Sequence, residues 1–243
     1  MRVALFVTCL NDAVFPATAV ATVRLLERLG VRVDFPAAQT CCGQPQFNTG
    51  YRALTAPLVR RTVRAFEGYE HVVTPSGSCA AMVRTHYGQF GPRAAELGPR
   101  TYELTEFLVD VLGVTDVGAY FPHKVTYHPS CHGLRLLGLG DRPRRLLQAV
   151  KGLELVELPG AEECCGFGGT FAVKNPDVSA AMGADKIRSA VSTGAGVLCG
   201  ADSSCLMHLG GMLRRQSAPL RELHLAEILA STEEEPWREE SGR

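Results

Sequence analysis

Cys9, Cys41, Cys42 and Cys79 fall in the first half of this 243-residue chain, and Cys131, Cys164, Cys165 and Cys205 in the second. The offsets between the two sets are 122, 123, 123 and 126 residues, so four positions repeat with little slippage. Their surroundings repeat as well. Cys41-Cys42-Gly43 echoes Cys164-Cys165-Gly166, and SGSCAAM at 76–82 echoes DSSCLMH at 202–208. The chain is therefore an internal duplication. A ninth cysteine, Cys199, lies outside the repeat, and an odd number excludes complete pairing within one chain.

Thiolates are soft ligands suited to zinc, copper(I) and iron–sulfur clusters. Structural zinc usually takes C-x2-C pairs, in which one turn supplies two ligands, and this sequence has none. Side chains of adjacent cysteines diverge, which is awkward for one small tetrahedral ion. A cluster with several irons takes neighbouring thiolates at different vertices, and four cysteines per half equal the four thiolates of an ordinary cluster. The expected ligands are thus Cys9, Cys41, Cys42 and Cys79 for one site and Cys131, Cys164, Cys165 and Cys205 for the other.

Such ligands need a frame that brings distant loops together. The apolar run Val3–Val7 ends at Cys9, residues 17–29 have helical periodicity, and 31–35 alternate like a strand leading to Cys41-Cys42. A helix over 52–66 and a strand over 71–74 then deliver Cys79. The second half reads alike: strand 124–128 before Cys131, helix near 142–150, strand 154–158 before Cys164, helix 177–192 and strand 195–199 before Cys205. Strands alternating with helices predict an α/β fold, two duplicated Rossmann-like parallel halves with cysteine-bearing loops at the strand C-termini. We expect the first repeat to span 1–120, with 92–122 separating the halves, the second 121–230, and a frayed, charged tail 231–243.

Composition narrows the function. Lys plus Arg and Asp plus Glu are 25 each, without the basic surplus of a nucleic-acid binder, and 46% hydrophobic residues suffice for a core. The opening MRVALFVTCL is too short for a signal peptide, and no apolar run approaches a membrane span of about 18 residues. A soluble, cytoplasmic protein is expected.

The motifs FVTCLNDAVFP at 6–16, CCGQP at 41–45, PSGSC at 75–79, ECCGFGGTF at 163–171 and GADSSCLMH at 200–208 carry a resemblance covering 1 to about 230. The chain resembles the cysteine-rich CCG domain family. That family includes the cysteine-rich component of heterodisulfide reductase, the iron–sulfur subunits of glycolate and glycerol-3-phosphate oxidoreductases and, most similar here, the lactate utilization group. The resemblance implies iron–sulfur clusters, [4Fe-4S] and up to one per repeat, in an electron-transfer subunit. That subunit would serve oxidation of L-lactate to pyruvate together with lactate utilization proteins B and C as soluble partners. A thiol/disulfide enzyme, or a subunit acting on glycolate or glycerol-3-phosphate, is the alternative. The heterodisulfide reductase pattern ends each repeat in C-x-x-C, whereas Ser76 and Asp202 stand at its first position here. Some lactate utilization relatives carry a cysteine where this chain has Ser203. Cluster binding is carried over; the five-cysteine cluster and its disulfide chemistry are not.

Other residues have narrower roles. Cys199 aligns with Val73 and reads as core. His128 and His132 flank Cys131 and could ligate metal or move protons, but repeat one has Phe6 and Leu10 there, so such a role would belong to the second site alone. His208 aligns with Met82. Gly43 and Gly166 are expected at positive φ beside the site. Phe15, Phe47, Leu134, Leu136 and Leu137 are expected either to cover the sites or to form a docking face for a partner.

Overall fold

The computed structural model describes residues 1–238. The first half runs β1 (Arg2–Leu5), α1 (Cys9–Ala13), α2 (Pro16–Arg28), β2 (Arg32–Asp34), α3 (Gln44–Asn48), α4 (Arg52–Ala65), β3 (Val72–Thr74), α5 (Gly77–Ala81), α6 (Pro92–Ala95), β4 (Thr101–Glu103) and α7 (Leu104–Glu106). The second runs β5 (Lys124–His128), a wide helical turn His132–Leu137, α8 (Arg142–Gln148), β6 (Glu154–Val156), α9 (Phe171–Lys174), α10 (Pro176–Ser192), β7 (Val197–Gly200), α11 (Ser203–Arg215), β8 (Arg221–His224) and α12 (Leu225–Ala230).

Each half is one parallel four-stranded sheet, ordered β2-β1-β3-β4 and β6-β5-β7-β8. The α/β reading and the duplication hold, down to the strand order. Strand register also fixes which residues correspond: Val73 with Cys199, Phe6 with His128, and Glu103 with His224. The stretch 92–122 is not a spacer. It supplies β4, paired in parallel with β3, and a helix continuing through Phe107–Val111. A strand of three residues, Thr-Tyr-Glu, is too short to show a period-two pattern, so its helical continuation dominates the sequence signal. The expected frayed tail is corrected over its described part: Trp237 packs edge-on against Phe121 at 5.9 Å, and its backbone N–H donates to Ser231 Oγ. Residues 239–243 of that expectation lie outside the described residues.

The core has three parts. One packs α4 and α5 beneath the first sheet, and another packs α10 and α11 beneath the second. The third belongs to both halves: Leu25 and Leu26 of α2, Leu104 of α7, Leu146 and Leu147 of α8 and Ile228 and Leu229 of α12 are all fully buried in one cluster between the sheets. The layers therefore read helix, sheet, shared helices, sheet, helix. Arg28 of α2 donates to the carbonyls of Leu229 and Ala230, placing a cation at the C-terminus of α12 from the other half. Thr18 Oγ1 donates to Glu227 Oε1 at 2.9 Å across the same seam.

A shared apolar layer makes the halves one cooperative unit. Leu25→Ala is expected to lower the unfolding free energy by about 2–5 kcal/mol. The Trp237 fluorescence transition and the far-ultraviolet circular dichroism transition should shift together in denaturant. A Trp237 transition left in place while ellipticity moves would show that the halves unfold separately.

Candidate metal centres

Sheets ordered 2-1-3-4 have a switch point between β1 and β3, where connections leave in opposite directions and open a crevice at the strand carboxyl ends. Cys9 follows β1, Cys79 lies in the first turn of α5 after β3, and Cys41-Cys42 sit in the loop after β2. Cys131, Cys205 and Cys164-Cys165 occupy the same places around β5, β7 and β6.

The sulfurs meet in both halves. Cys42 Sγ lies 3.2 Å from Cys79 Sγ, and Cys41 hydrogen-bonds with both Cys9 and Cys42. In the second half Cys164 hydrogen-bonds with Cys131 and Cys165, and Cys165 with Cys205. All eight expected ligands are brought together, as two sets of four. Cys9 is exposed, Cys41, Cys131 and Cys164 are half-buried, and Cys42, Cys79, Cys165 and Cys205 are buried. Cys199 is fully buried in the shared core, where burial pushes its thiol well up.

Two devices let adjacent cysteines serve one site. Gly43 and Gly166 adopt φ of +83° and +91°, and each donates its N–H to the sulfur two residues earlier, Cys41 or Cys164, at 3.4 Å. The turn also presses against a helix, since a Cβ on Gly166 would stand 2.6 Å from the Ser179 carbonyl oxygen of α10. The second device precedes the first cysteine of each set. Thr8 and Ser130, neither of them glycine, hold φ of +76° and +57°. Such conformations cost about 1–3 kcal/mol each and persist only where the surrounding structure enforces them.

The positions where related proteins place a further cysteine have another use here. Ser76 Oγ accepts from Cys79 N–H and so caps α5. Asp202 caps α11 through Ser204 N–H and reaches across the seam, where its Oδ2 accepts from Ser78 N–H at 2.6 Å. Gln44 Nε2 donates to the Ser78 carbonyl and to His132 Nε2, both at 3.0 Å, which leaves His132 Nδ1–H facing Cys131 Sγ at 3.6 Å. The two sites are thereby joined by side chains.

Electrostatically, one thiol in each set ionises first. Hydrogen bonds from Cys42 and Cys9 hold Cys41 down at about 3, and hydrogen bonds from Cys131 and Cys165 hold Cys164 down at about 2. The neighbours that donate, Cys9 and Cys42, Cys131 and Cys165, are raised in consequence. Each set thus releases one proton readily, and the two thiols that donate to that sulfur keep theirs until a cation compensates them.

The second site is the more polar. His128, the counterpart of Phe6, is 1% exposed, and neither ring nitrogen has a hydrogen-bond partner. A ring nitrogen and the sulfurs of Cys165 and Cys205 lie within 4.8 Å of one another. An unpaired buried polar group costs about 1–3 kcal/mol. Burial, then the charge of Lys186, holds His128 down at about 4, so the imidazole is neutral. Lys186 is itself buried and donates to the Gly160 carbonyl. Sequence reasoning missed it. The signal is helix register: buried Thr55, Val59, Thr62 and Phe66 match Ser179, Gly183, Lys186 and Ala190, a lysine among small and apolar residues.

His208 Nε2 lies 3.5 Å from Ser179 Oγ, on the α10–α11 contact. Of the five apolar residues expected to cover the sites or to dock a partner, Phe47 is buried, stacked on His86 at 4.4 Å with the Arg52 guanidinium 3.8 Å above its ring. It belongs to the first half's core and offers no docking surface. Phe15, Leu134 and Leu137 are half-buried, and Leu136 is exposed.

Two parallel α/β halves, each gathering four thiols at its switch point, define a duplicated cysteine-rich protein whose thiol sets suit a soft metal. The chain belongs to the CCG family: the family's cysteine-rich domain matches residues 3–84 and again 125–210. Over 235 residues it is 49% identical to "Lactate utilization protein A" of Oceanobacillus iheyensis, covering 94% of this chain and 96% of that one. Identity to the protein of that name in Geobacillus kaustophilus is 52%, covering 94% and 98%, and in Bacillus velezensis 50%, covering 95% and 100%.

Two measurements check the site. In the metal-free, reduced protein, iodoacetamide should label Cys41 and Cys164 at rates nearly constant from about pH 5.5 to 8.5, because a lowered pKa leaves the thiolate present throughout. A rate rising about tenfold per pH unit, as for an ordinary thiol, would remove the assignment. Gly166→Ala, strained in φ and crowded against α10, should cost more than about 2 kcal/mol in urea unfolding, against about 1 kcal/mol for Gly30→Ala, whose Cβ meets nothing within 4 Å.

Proposed function

We propose that this protein is the iron–sulfur electron-transfer subunit of a complex that oxidises L-lactate to pyruvate. The observation that carries the cluster reading is the meeting of four sulfurs in each half. The donor set supports it: the sulfurs' partners are other sulfurs, His132 and the backbone N–H groups of Leu10, Gly43, Gly166 and Phe167, with no carboxylate among them. Cys9, Cys41, Cys42 and Cys79 would hold one cluster and Cys131, Cys164, Cys165 and Cys205 the other. Bound there, a cluster supplies reversible one-electron transfer. The chain's own residues exclude water with Cys42, Cys79, Cys165 and Cys205 and leave Cys9 at the surface, where a second redox centre can approach. The Gln44–His132 bridge links the residues beside the two sites and supports an internal relay between them.

The lactate part of the proposal draws on the names of the relatives at 49–52% identity. Lactate utilization proteins B and C are the proposed soluble partners, and the cytoplasm the proposed compartment. No helix among the described residues is long and apolar enough to cross a membrane.

Anaerobically purified protein should carry iron and acid-labile sulfide at about four each per half. Cys42→Ser and Cys165→Ser should each remove about half, and the double variant nearly all. With both partners present, L-lactate should bleach the visible iron–thiolate absorption, and without them it should not. Stoichiometric zinc with no iron would overturn the cluster reading. Bleaching by glycolate but not lactate would overturn the substrate.

A further inference from the structure

Duplicated sites begin equal, and the places where they have diverged show what each has been adapted to do. Around the first set of sulfurs the β1 strand end contributes Phe6, fully buried and packed on Phe66 with ring centroids 5.1 Å apart. At the corresponding place the second half has His128, equally buried, with no hydrogen bond to either nitrogen. The groups facing it do not satisfy it. Lys186 from α10 spends its ammonium on the Gly160 carbonyl, and Asp202 after β7 binds the N–H groups of Ser78 and Ser204. What remains within reach of the ring is the sulfur pair Cys165 and Cys205, whose Sγ atoms lie with a ring nitrogen inside 4.8 Å.

We propose that His128 is a nitrogen ligand of the second half's metal centre, taking a position that a thiolate fills in the first, so that the first centre is all-thiolate and the second is thiolate plus imidazole. The proposal rests on the reading that each half holds a metal centre. A buried imidazole with both nitrogens unpartnered beside two thiols is a donor site suited to a metal, and borderline metals such as iron and zinc accept nitrogen and sulfur together. Phe6 offers no such donor, which makes the difference one of coordination and not only of surroundings. Exchanging thiolate character for imidazole raises the reduction potential of an iron–sulfur centre. The second centre would then be the electron sink of the pair, and electrons entering at the exposed Cys9 would run inward to it.

The test uses the full chain, purified anaerobically with 15N-histidine, and the variants His128→Phe and His128→Gln. Phe is the residue the first half tolerates at this place, and Gln keeps the polarity without the ring. In the reduced wild type, pulsed paramagnetic resonance should show one centre with a strong histidine-nitrogen coupling and a redox titration two unequal midpoints. Both variants should lose that coupling and shift the higher midpoint downward, with the other midpoint unchanged as the sign that the fold is intact. Iron in both halves with no nitrogen coupling in the wild type overturns the proposal and leaves the cluster reading standing. So does a coupling that survives in both variants. Zinc in the second half with a nitrogen scatterer in X-ray absorption, lost in His128→Phe, keeps His128 as ligand and removes the cluster reading. An all-sulfur zinc shell, or a chain that takes up neither metal, removes both.

Discussion

Adjacent residues on a regular strand or helix point apart, and the sites depend on overcoming that divergence at Cys41-Cys42 and Cys164-Cys165. The glycine that follows each pair does it. A left-handed φ folds the chain back so that the glycine N–H meets the first sulfur while the second turns inward to Cys79 or Cys205. The same turn lies close to the next helix, tightly against Thr55 of α4 at Gly43 and with no room for a side chain against α10 at Gly166, which ties each loop to its helix. The rest follows from position. Loops after three parallel strands converge at the switch point, and the strained Thr8 and Ser130 aim the remaining cysteine of each set at it.

The seam between the halves obeys the same pseudo-twofold logic. α5 packs on the helical turn His132–Leu137 and α11 on α1, while α12 lies on α2 and α7 on α8. Thr49 and Thr170, counterparts in the two halves, share a hydrogen bond of 2.7 Å. Several departures from the symmetry are polar. Among them, His128 replaces Phe6, Lys186 replaces Thr62, and Asp202 replaces Ser76. These three lie on the second site or at its border with the first.

Much of this was legible in the sequence because it rested on spacing. The cysteine offsets revealed the duplication, and apolar runs ending at cysteines placed six loops at strand ends. β4 and β8 escaped because Thr-Tyr-Glu and Arg-Glu-Leu-His gain their strand character from pairing with β3 and β7, not from their own pattern. Phe47 was expected either to cover the site or to dock a partner, and the choice depended on folding: it is buried in one cluster with Cys42 and Cys79, under His86 and Arg52. His128 was visible as a histidine near a cysteine. That both its nitrogens are unpaired, and that Cys165 and Cys205 from two other loops stand beside it, depends on folding and could not be read in one dimension.

The helical layer that both sheets share has a thermodynamic meaning beyond packing. A chain that unfolds as one unit has a single free energy, and whatever binds the native state at either end adds to it. A metal bound at either centre would therefore stabilise the common fold that holds the other. Loss of metal from one set of thiols would lower the stability of the frame around the second. Oxygen or chelator attack on the more exposed centre would reach the sheltered one through stability alone.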